Sequence, residues 1–129
     1  VDLVEPFQAP LVDIEGDRGP VTISIRFEIK PEQADEFLAL MRERRSYRRR
    51  NGARRWSLSR DASEPSVWYE TCRFATWTDY LRHSDRMTRA DRAVADRLRD
   101  VHRGAEPPLV TRSIEQHWIA SGGVRPAGR

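Results

Sequence analysis

The stretch WYETCRFATWTDYLRHSDRMT, residues 68–88, decides the fold because a strand ends and a helix begins within it. Its first third has the alternation of a half-buried strand, and we predict a strand over 67–74. Beyond Thr76 the apolar residues recur at helical spacing, starting with Trp77. The sequence therefore predicts a strand and a helix joined by a very short link.

Two helix-start signals occur in this region. Thr76 stands three residues before Asp79, and Thr88 stands three residues before Asp91. A short hydroxyl and a carboxylate at this spacing can satisfy the orphan amide groups of a first helical turn. We expect one long helix over 77–103 that breaks near the second signal.

The remaining strands and helices are predicted from the spacing of their apolar residues. Two-residue alternation predicts strands, and apolar stripes at three- and four-residue spacing predict helices. The predicted elements are strands over 21–29, 53–60, 67–74 and 109–119, and helices over 31–50 and 77–103. This order is that of an α+β, ferredoxin-like βαββαβ fold, in which two helices cover one face of a four-stranded antiparallel sheet.

The opposite face of this sheet needs a cover. Val110, Ile114 and Trp118 share one parity on the last predicted strand, and we expect a second copy of the chain to cover that face. Two sheets joined in this way close a dimeric α+β barrel. A homodimer is therefore the predicted assembly.

One domain is predicted between two tails. Residues 1–19 mix proline and glycine with acidic side chains, so they are interpreted as a linker or N-terminal arm that would suit a chain entering from a preceding segment. Residues 120–129 are glycine-rich and lack an apolar pattern, which predicts a flexible C-terminal tail. The predicted domain is 20–119.

Length and composition limit the class of protein. A chain of 129 residues is long enough for one domain and too short for two of ordinary size. No run approaches the roughly 20 apolar residues that span a bilayer, so we expect a soluble chain. Cys72 is the single cysteine, which excludes an internal disulfide and favours a reducing, cytoplasmic location.

Arginine accounts for all but one of the 23 basic side chains, and many arginines cluster between Arg42 and Arg55. Such a cluster can bind anions, a membrane surface or nucleic acid. The alternative is that these side chains, Arg44 and Arg48 among them, occupy the solvated last turns of a helix, where cations complement the dipole. Only Tyr47 adds a stacking ring to the run, so we expect no specific nucleic-acid binding.

His83 is the candidate catalytic residue, as a general base on the flank of the predicted second helix. A packed, hydrogen-bonded histidine is the competing interpretation, because no second catalytic group pairs with it. Several rings and one cation could line a ligand pocket between helices and sheet, although core packing is the commoner role of such rings. These pocket candidates are Trp56, Trp68, Trp77, Tyr80 and Arg48. The histidines lack metal-ligand spacing, so we expect no metal and no cofactor.

Four segments carry a specific resemblance to a known family. They are GPVTISIRFEIKPEQADEFLALM (19–41), RRRNGARRWSLSRD (48–61), VWYETCRFATWTDYLRHSDRMTRADR (67–92) and HRGAEPPLVTRSI (102–114). With them, the chain from about Glu15 to Ile114 resembles the cytoplasmic C-terminal domain of bacterial major facilitator superfamily permeases in the transmembrane secretion effector or enterobactin-exporter-like group. The hallmarks are Asp17 to Val21, Trp56, Arg60-Asp61, Glu70-Thr71, Trp77, His83, Arg86, Thr88, Asp91-Arg92 and Pro107-Pro108.

This resemblance implies a place, partners and a role. The place is the cytoplasmic face of the bacterial inner membrane, and the partners are a membrane-embedded transporter domain of the same chain and a second copy. The implied role is noncatalytic, namely dimerisation, ligand sensing or regulation of transport.

More distantly, the chain resembles the antibiotic-biosynthesis monooxygenase superfamily of dimeric α+β barrels, whose second helix often carries Trp and His at the places of Trp77 and His83. This resemblance implies an alternative, a cofactor-independent monooxygenase that acts on a small aromatic substrate and is cytoplasmic if free-standing. Oxygenases of that superfamily resemble one another in having an asparagine on the first strand, where this chain has hydroxyls and Arg26. Haem-degrading relatives have their axial histidine where this chain has Asp91 or its neighbours, which implies no haem.

Overall fold

The computed structural model describes residues 14–116, so the predicted tail at 120–129 and most of the predicted arm lie outside the described part. The elements are β1 (Val21–Glu28), a 3-10 turn (Pro31–Gln33), α1 (Ala34–Arg50), β2 (Arg54–Arg60), β3 (Val67–Phe74), α2 (Trp77–Asp85), α3 (Arg89–Val101) and β4 (Leu109–Ile114). Within this part, every helix is too short or too polar to cross a lipid bilayer.

The four strands form one antiparallel sheet in the order β2-β3-β1-β4. β1 lies inside the sheet and pairs with β3 on one side and with β4 on the other. This order confirms the predicted α+β, ferredoxin-like fold. β2 and β4 are the two edge strands.

Alternation along β1 separates the two faces of the sheet. Every second residue of β1 is buried beneath the helices, where it joins apolar side chains of α1 and α3 in one core. The main members of this core are Val21, Ile23, Ile25, Phe27, Phe37, Met41, Leu98 and Val101. Each fully buried side chain of this size contributes about 1.5–3 kcal/mol to folding, so this layer supplies most of the apolar stabilisation.

The other face of the sheet, which we call the open face, carries small hydroxyl groups. Ser57 pairs with Thr71, Thr71 pairs with Ser24, and Ser24 pairs with Thr111. Paired residues on adjacent strands point to the same face. One row of four hydroxyl side chains therefore crosses the whole sheet.

Our prediction that Val110 and Ile114 face away from the helices is wrong. β4 pairs Val110 with Ile25 and Ile114 with Val21, and both partners point toward the helices. The two side chains therefore pack against the helix-covered core. Trp118, the third residue of that prediction, lies outside the described residues.

The long helix predicted after β3 is two helices, because the second start signal is a complete capping box. Asp91 N donates to Thr88 Oγ1 over 3.1 Å, and Thr88 N donates to the Asp91 carboxylate over 3.0 Å. Thr88 has an extended backbone, so the hydrogen-bond ladder of α2 cannot continue through it. At the first signal, Asp79 N donates to Thr76 Oγ1 over 3.1 Å, as predicted.

The residues just before β1 are bound to the start of α2. The first amides of α2, those of Trp77 and Thr78, donate to carbonyl oxygens of Arg18 and Gly16 over 2.8 and 2.9 Å. These amides have no partner within their own helix, so the preceding segment caps α2. Gly19 also passes close to the end of β3, since a Cβ at this position would lie 2.1 Å from a backbone carbonyl oxygen.

Candidate functional site

A buried carboxylate lies between α1 and the sheet. Glu70 on β3 is 1% exposed. Its oxygens accept from Arg44 Nε at 3.1 and 3.2 Å, from Arg48 Nε at 3.0 Å and from Trp56 Nε1 at 2.8 Å. These four residues form what we call the Glu70 cluster.

Three elements bring the Glu70 cluster together. Glu70 pairs with Ile25 across the β1–β3 ladder, so its side chain points toward the helices. Arg44 and Arg48 are one turn apart on α1 and continue the buried face of that helix. Trp56 reaches the same layer from β2, so the cluster ties α1 to two strands.

The charge state of the cluster follows from its contacts. Burial alone raises the pKa of Glu70, but the charges of Arg44 and Arg48, with hydrogen bonds from Arg48 and Trp56, outweigh burial and lower the pKa to about 2. The carboxylate is therefore ionised near neutral pH. Removing one partner of such a buried pair costs about 3–5 kcal/mol, because the remaining charge stays buried without compensation.

His83 on α2 is wholly buried and bonded to α1 through Tyr47. Tyr47 Oη donates to the carbonyl oxygen of His83 over 2.9 Å. The same Oη lies 3.2 Å from Nδ1 of the ring, and because its hydrogen is already donated, it accepts from that nitrogen. This network assigns the ring proton to Nδ1. Nε2 has no hydrogen-bond partner among residues 14–116 and keeps its lone pair.

The His83 ring is neutral. Burial is the largest cause that lowers its pKa, and the guanidinium groups of Arg48 and Arg44 lower it further, to about 2, against an opposite effect of Glu70. Because these charges act on the ring, the imidazole and the Glu70 cluster share one buried polar region. At neutral pH, Nε2 can accept a hydrogen bond, but the ring has almost no tendency to take up a proton.

Two of the predicted pocket residues join His83 through a series of aromatic contacts. The rings of Trp77 and Tyr80 on α2 have centroids 5.2 Å apart, and Tyr80 contacts Phe74 with centroids 5.6 Å apart. Phe74 in turn meets the His83 ring edge to face at 5.0 Å. These rings form a continuous aromatic group between α2 and the end of β3.

The other predicted pocket residues lie in different places. Trp56 and Arg48 belong to the Glu70 cluster. Trp68 contacts Phe37 with ring centroids 5.5 Å apart, and the guanidinium of Arg60 lies 4.8 Å from its ring centre. The structure therefore brings Trp77 and Tyr80 to His83 and brings Trp56 and Arg48 to Glu70, and it places Trp68 apart from both groups.

Glu70 was predicted only as a hallmark of the family resemblance, without a role in a site. Of the two interpretations of the arginine run, the one that places Arg44 and Arg48 in solvated turns is wrong, because Arg44 is 4% exposed and Arg48 is wholly buried. The sequence did contain a signal for this buried cluster. Glu70 stands at a position of β3 whose alternation points toward the helices, and the two arginines continue the apolar stripe of α1. Elsewhere in residues 14–116, Cys72 is a buried thiol outside any disulfide, and no group of three potential metal ligands occurs.

Solved structures share the backbone arrangement. A conserved protein from Methanosarcina mazei Go1 has a TM-score of 0.67 and 10% identity, with 78% of this chain and 96% of that chain covered. A provisionally assigned antibiotic biosynthesis monooxygenase from Caulobacter crescentus CB15 has a TM-score of 0.66 and 16% identity, covering 79% and 94%. A variant of SnoaB, a cofactor-independent oxygenase from Streptomyces nogalater, has a TM-score of 0.58 and 16% identity, covering 79% and 96%. The chain thus has the ferredoxin-like fold of the dimeric α+β barrel class, and identities this low show the fold alone.

Sequence comparison adds the family. The model of the family described as transmembrane secretion effector matches residues 2–119, which is nearly the whole chain. The chain therefore belongs to the transmembrane secretion effector family, as its resemblance predicted. No curated protein sequence matches it significantly.

Glu70→Gln should lower the unfolding free energy by about 3 kcal/mol or more, because two buried guanidinium groups lose their carboxylate. Glu36→Gln is the matched control, since Glu36 pairs with Arg97 through side chains that are 40% and 47% exposed. We expect that exposed pair to contribute far less to stability, because solvent screens it. Urea unfolding followed by tryptophan fluorescence measures both variants, and equal losses would contradict the central position of Glu70.

His83→Asn should make stability less dependent on pH. His83 has a folded pKa of about 2 and an ordinary value of 6.5, so acid protonates the unfolded chain first and the native state loses stability as pH falls below 6.5. Between about pH 7.5 and pH 5 this loss is about 2 kcal/mol for the native protein. Asparagine can keep the donor to Tyr47 without titrating.

Urea unfolding at several pH values checks this difference. The variant should lack the part of the acid loss that His83 causes, while other titrating groups affect both proteins alike. Because the carboxylate of Glu70 ordinarily titrates near 4.5, its own effect lies below this pH window. Parallel pH profiles for the two proteins would show that His83 is not the buried neutral group described above.

Proposed function

We propose that this chain is the cytoplasmic domain at the C-terminal end of a major facilitator superfamily efflux permease, on the cytoplasmic face of the bacterial inner membrane. The supporting observation is the family match over residues 2–119, in a chain whose described helices are all unsuited to cross a bilayer. The domain then acts beside the transport pathway. Its role is to dimerise, to sense a ligand and to regulate transport, without catalysis.

The way His83 is held supports a noncatalytic role. A general base is most effective when its pKa lies near the working pH, and the pKa of this ring is about 2. Its Nδ1 is engaged by Tyr47, and Glu70, the carboxylate whose charge acts on the ring, already accepts from three side chains. The alternative, a monooxygenase acting on a small aromatic substrate, is supported by the shared fold, and a shared fold does not determine chemistry.

The dimer in this proposal is formed through the open face. Ser24 and Thr71 at its centre have short side chains, so a second sheet can approach closely. Hydroxyl groups both donate and accept, and therefore a facing copy can satisfy the hydroxyl row, which Arg26 and Arg73 flank on the same face. Two such faces are self-complementary, as a two-fold interface requires.

The sensing part of the proposal is assigned to the aromatic group on α2. The rings of Trp77 and Tyr80 are adjacent and largely buried, and the guanidinium of Arg112 on β4 lies 5.8 Å from the Trp77 ring centre. Aromatic rings beside a cation suit a small, electron-rich aromatic ligand. A ligand at this place would contact α2, whose other end carries His83.

Ser24→Arg should convert the dimer into a monomer, because a charged side chain in the hydroxyl row would have to be buried without a partner. Ala93→Arg is the matched control, since Ala93 is exposed on α3, away from the open face. Light scattering on the purified proteins measures the molar mass. A monomeric native protein, or a dimer that survives Ser24→Arg, would exclude an interface through the open face.

The permease assignment is tested in the source cells. An antibody raised against this chain should detect a product far larger than 15.0 kDa in the inner-membrane fraction, because a transporter domain would be part of the same polypeptide. The purified chain should also consume no oxygen with hydroquinone-type substrates. A soluble product near the mass of the chain, together with oxygen uptake that His83→Asn abolishes, would instead establish the enzyme.

A further inference from the structure

A cavity of about 230 Å³ lies at the end of the sheet where β1 and β2 begin and β3 ends. Arginines form half of its lining, and small or apolar residues form the other half. The lining residues are Arg54, Arg55, Arg73, Pro20, Phe74 and Ala75. None of these lining residues is acidic, and none belongs to the Glu70 cluster.

A bulge in β2 brings two of these arginines to one place. Arg54 and Arg55 are neighbours in sequence, and a regular strand would direct them to opposite faces. However, Arg54 pairs with Arg73 and Ser57 pairs with Thr71, so two residues of β2 stand opposite one residue of β3. Arg55 has a φ of +52°, a left-handed conformation that side chains other than glycine adopt only at an energetic cost.

The charges at this cavity are poorly compensated within the chain. Arg54 stands directly opposite Arg73, a position in which like charges destabilise a sheet. Within residues 14–116, neither Arg54 nor Arg55 makes an ion pair or a side-chain hydrogen bond. Arg73 binds Glu115 over 3.0 Å, and that carboxylate side chain is 64% exposed. Strain and repulsion persist together at this point, which is typical of a site whose ligand supplies the missing charge.

We propose that this cavity binds a phosphate group. Guanidinium groups donate paired hydrogen bonds to phosphate oxygens. Because Arg73 is paired with Glu115, the remaining positive charge of about two matches that of a phosphate monoester, which carries nearly two negative charges. The volume is several times the roughly 30 Å³ of a water molecule, so part of the attached carbon group also fits. Pro20 and Ala75 supply apolar surface for that group. The site would be present in a free-standing chain as well as in a permease domain, so it goes beyond the proposed function.

A free phosphate ester and the headgroup of an anionic lipid share this chemistry, and two binding measurements separate them. Calorimetric titration with phenyl phosphate and with inorganic phosphate, at constant ionic strength, measures the free anion. Flotation with phosphatidylcholine vesicles, with and without phosphatidylglycerol, measures the lipid headgroup. Both use the purified chain.

Variants of the cavity give the expected pattern. Arg54→Gln and Arg55→Gly should each weaken binding by about tenfold or more, because each removes one charge-assisted donor. Glycine adopts the left-handed conformation without strain, so Arg55→Gly should retain or raise the melting temperature while binding is lost. Glu115→Gln should tighten binding, since Arg73 is then released from its carboxylate.

Arg45→Gln is the control for general positive charge, because Arg45 is exposed on α1 in the same arginine-rich segment. It should change binding less than about twofold. Saturable binding of either probe with this pattern supports the site and identifies the source of the phosphate. Absence of binding to both probes, or equal losses for Arg45→Gln and Arg54→Gln, would overturn it. A failure here would leave the membrane location and the dimer untouched.

Discussion

The carboxylate of Glu70 is the constraint on which the packing of this protein depends. It lies where α1 crosses β3, and three donors from α1 and β2 converge on it. Apolar packing alone tolerates sliding of a helix along a sheet, because dispersion contacts are not directional. Charge-assisted hydrogen bonds at about 3 Å have no such tolerance, so they set the position of α1 along the sheet. The positions of Tyr47 and of the His83 ring bonded to it follow from that setting.

The Glu70 cluster also limits the chemistry that is available in the layer between the helices and the sheet. Its polar atoms bond to one another, and within the described residues the Nε2 of His83 is a buried acceptor left with its lone pair. The charges of the Glu70 cluster pair with one another, which favours a structural role for them. Sites for partners and ligands are then expected at the boundaries of the domain, namely the open face, the aromatic group on α2 and the arginine-lined end of the sheet.

The fold was largely predictable from local patterns. The span of β3 was predicted correctly, and both helix-start signals occur where the Thr and Asp pairs stand. The site was less predictable, because its chemistry depends on which distant side chains meet. Arg44 and Arg48 belong to a run of similar residues, and only the register of α1 against β3 separates these buried members from their exposed neighbours. Val110 shows the same difficulty. Alternation along a strand shows which residues share a face, but it does not reveal whether that face points toward the helices or away from them.

The bulge at Arg55 has a consequence for how the protein behaves in a crowded cell. β2 is an edge strand, and an exposed edge can recruit strands from other molecules. The extra residue interrupts the regular spacing of donors and acceptors that an incoming strand would need. Neighbouring arginines add charge along the same edge. The same distortion that contributes to the cavity therefore makes β2 a poor template for the addition of a strand from another molecule.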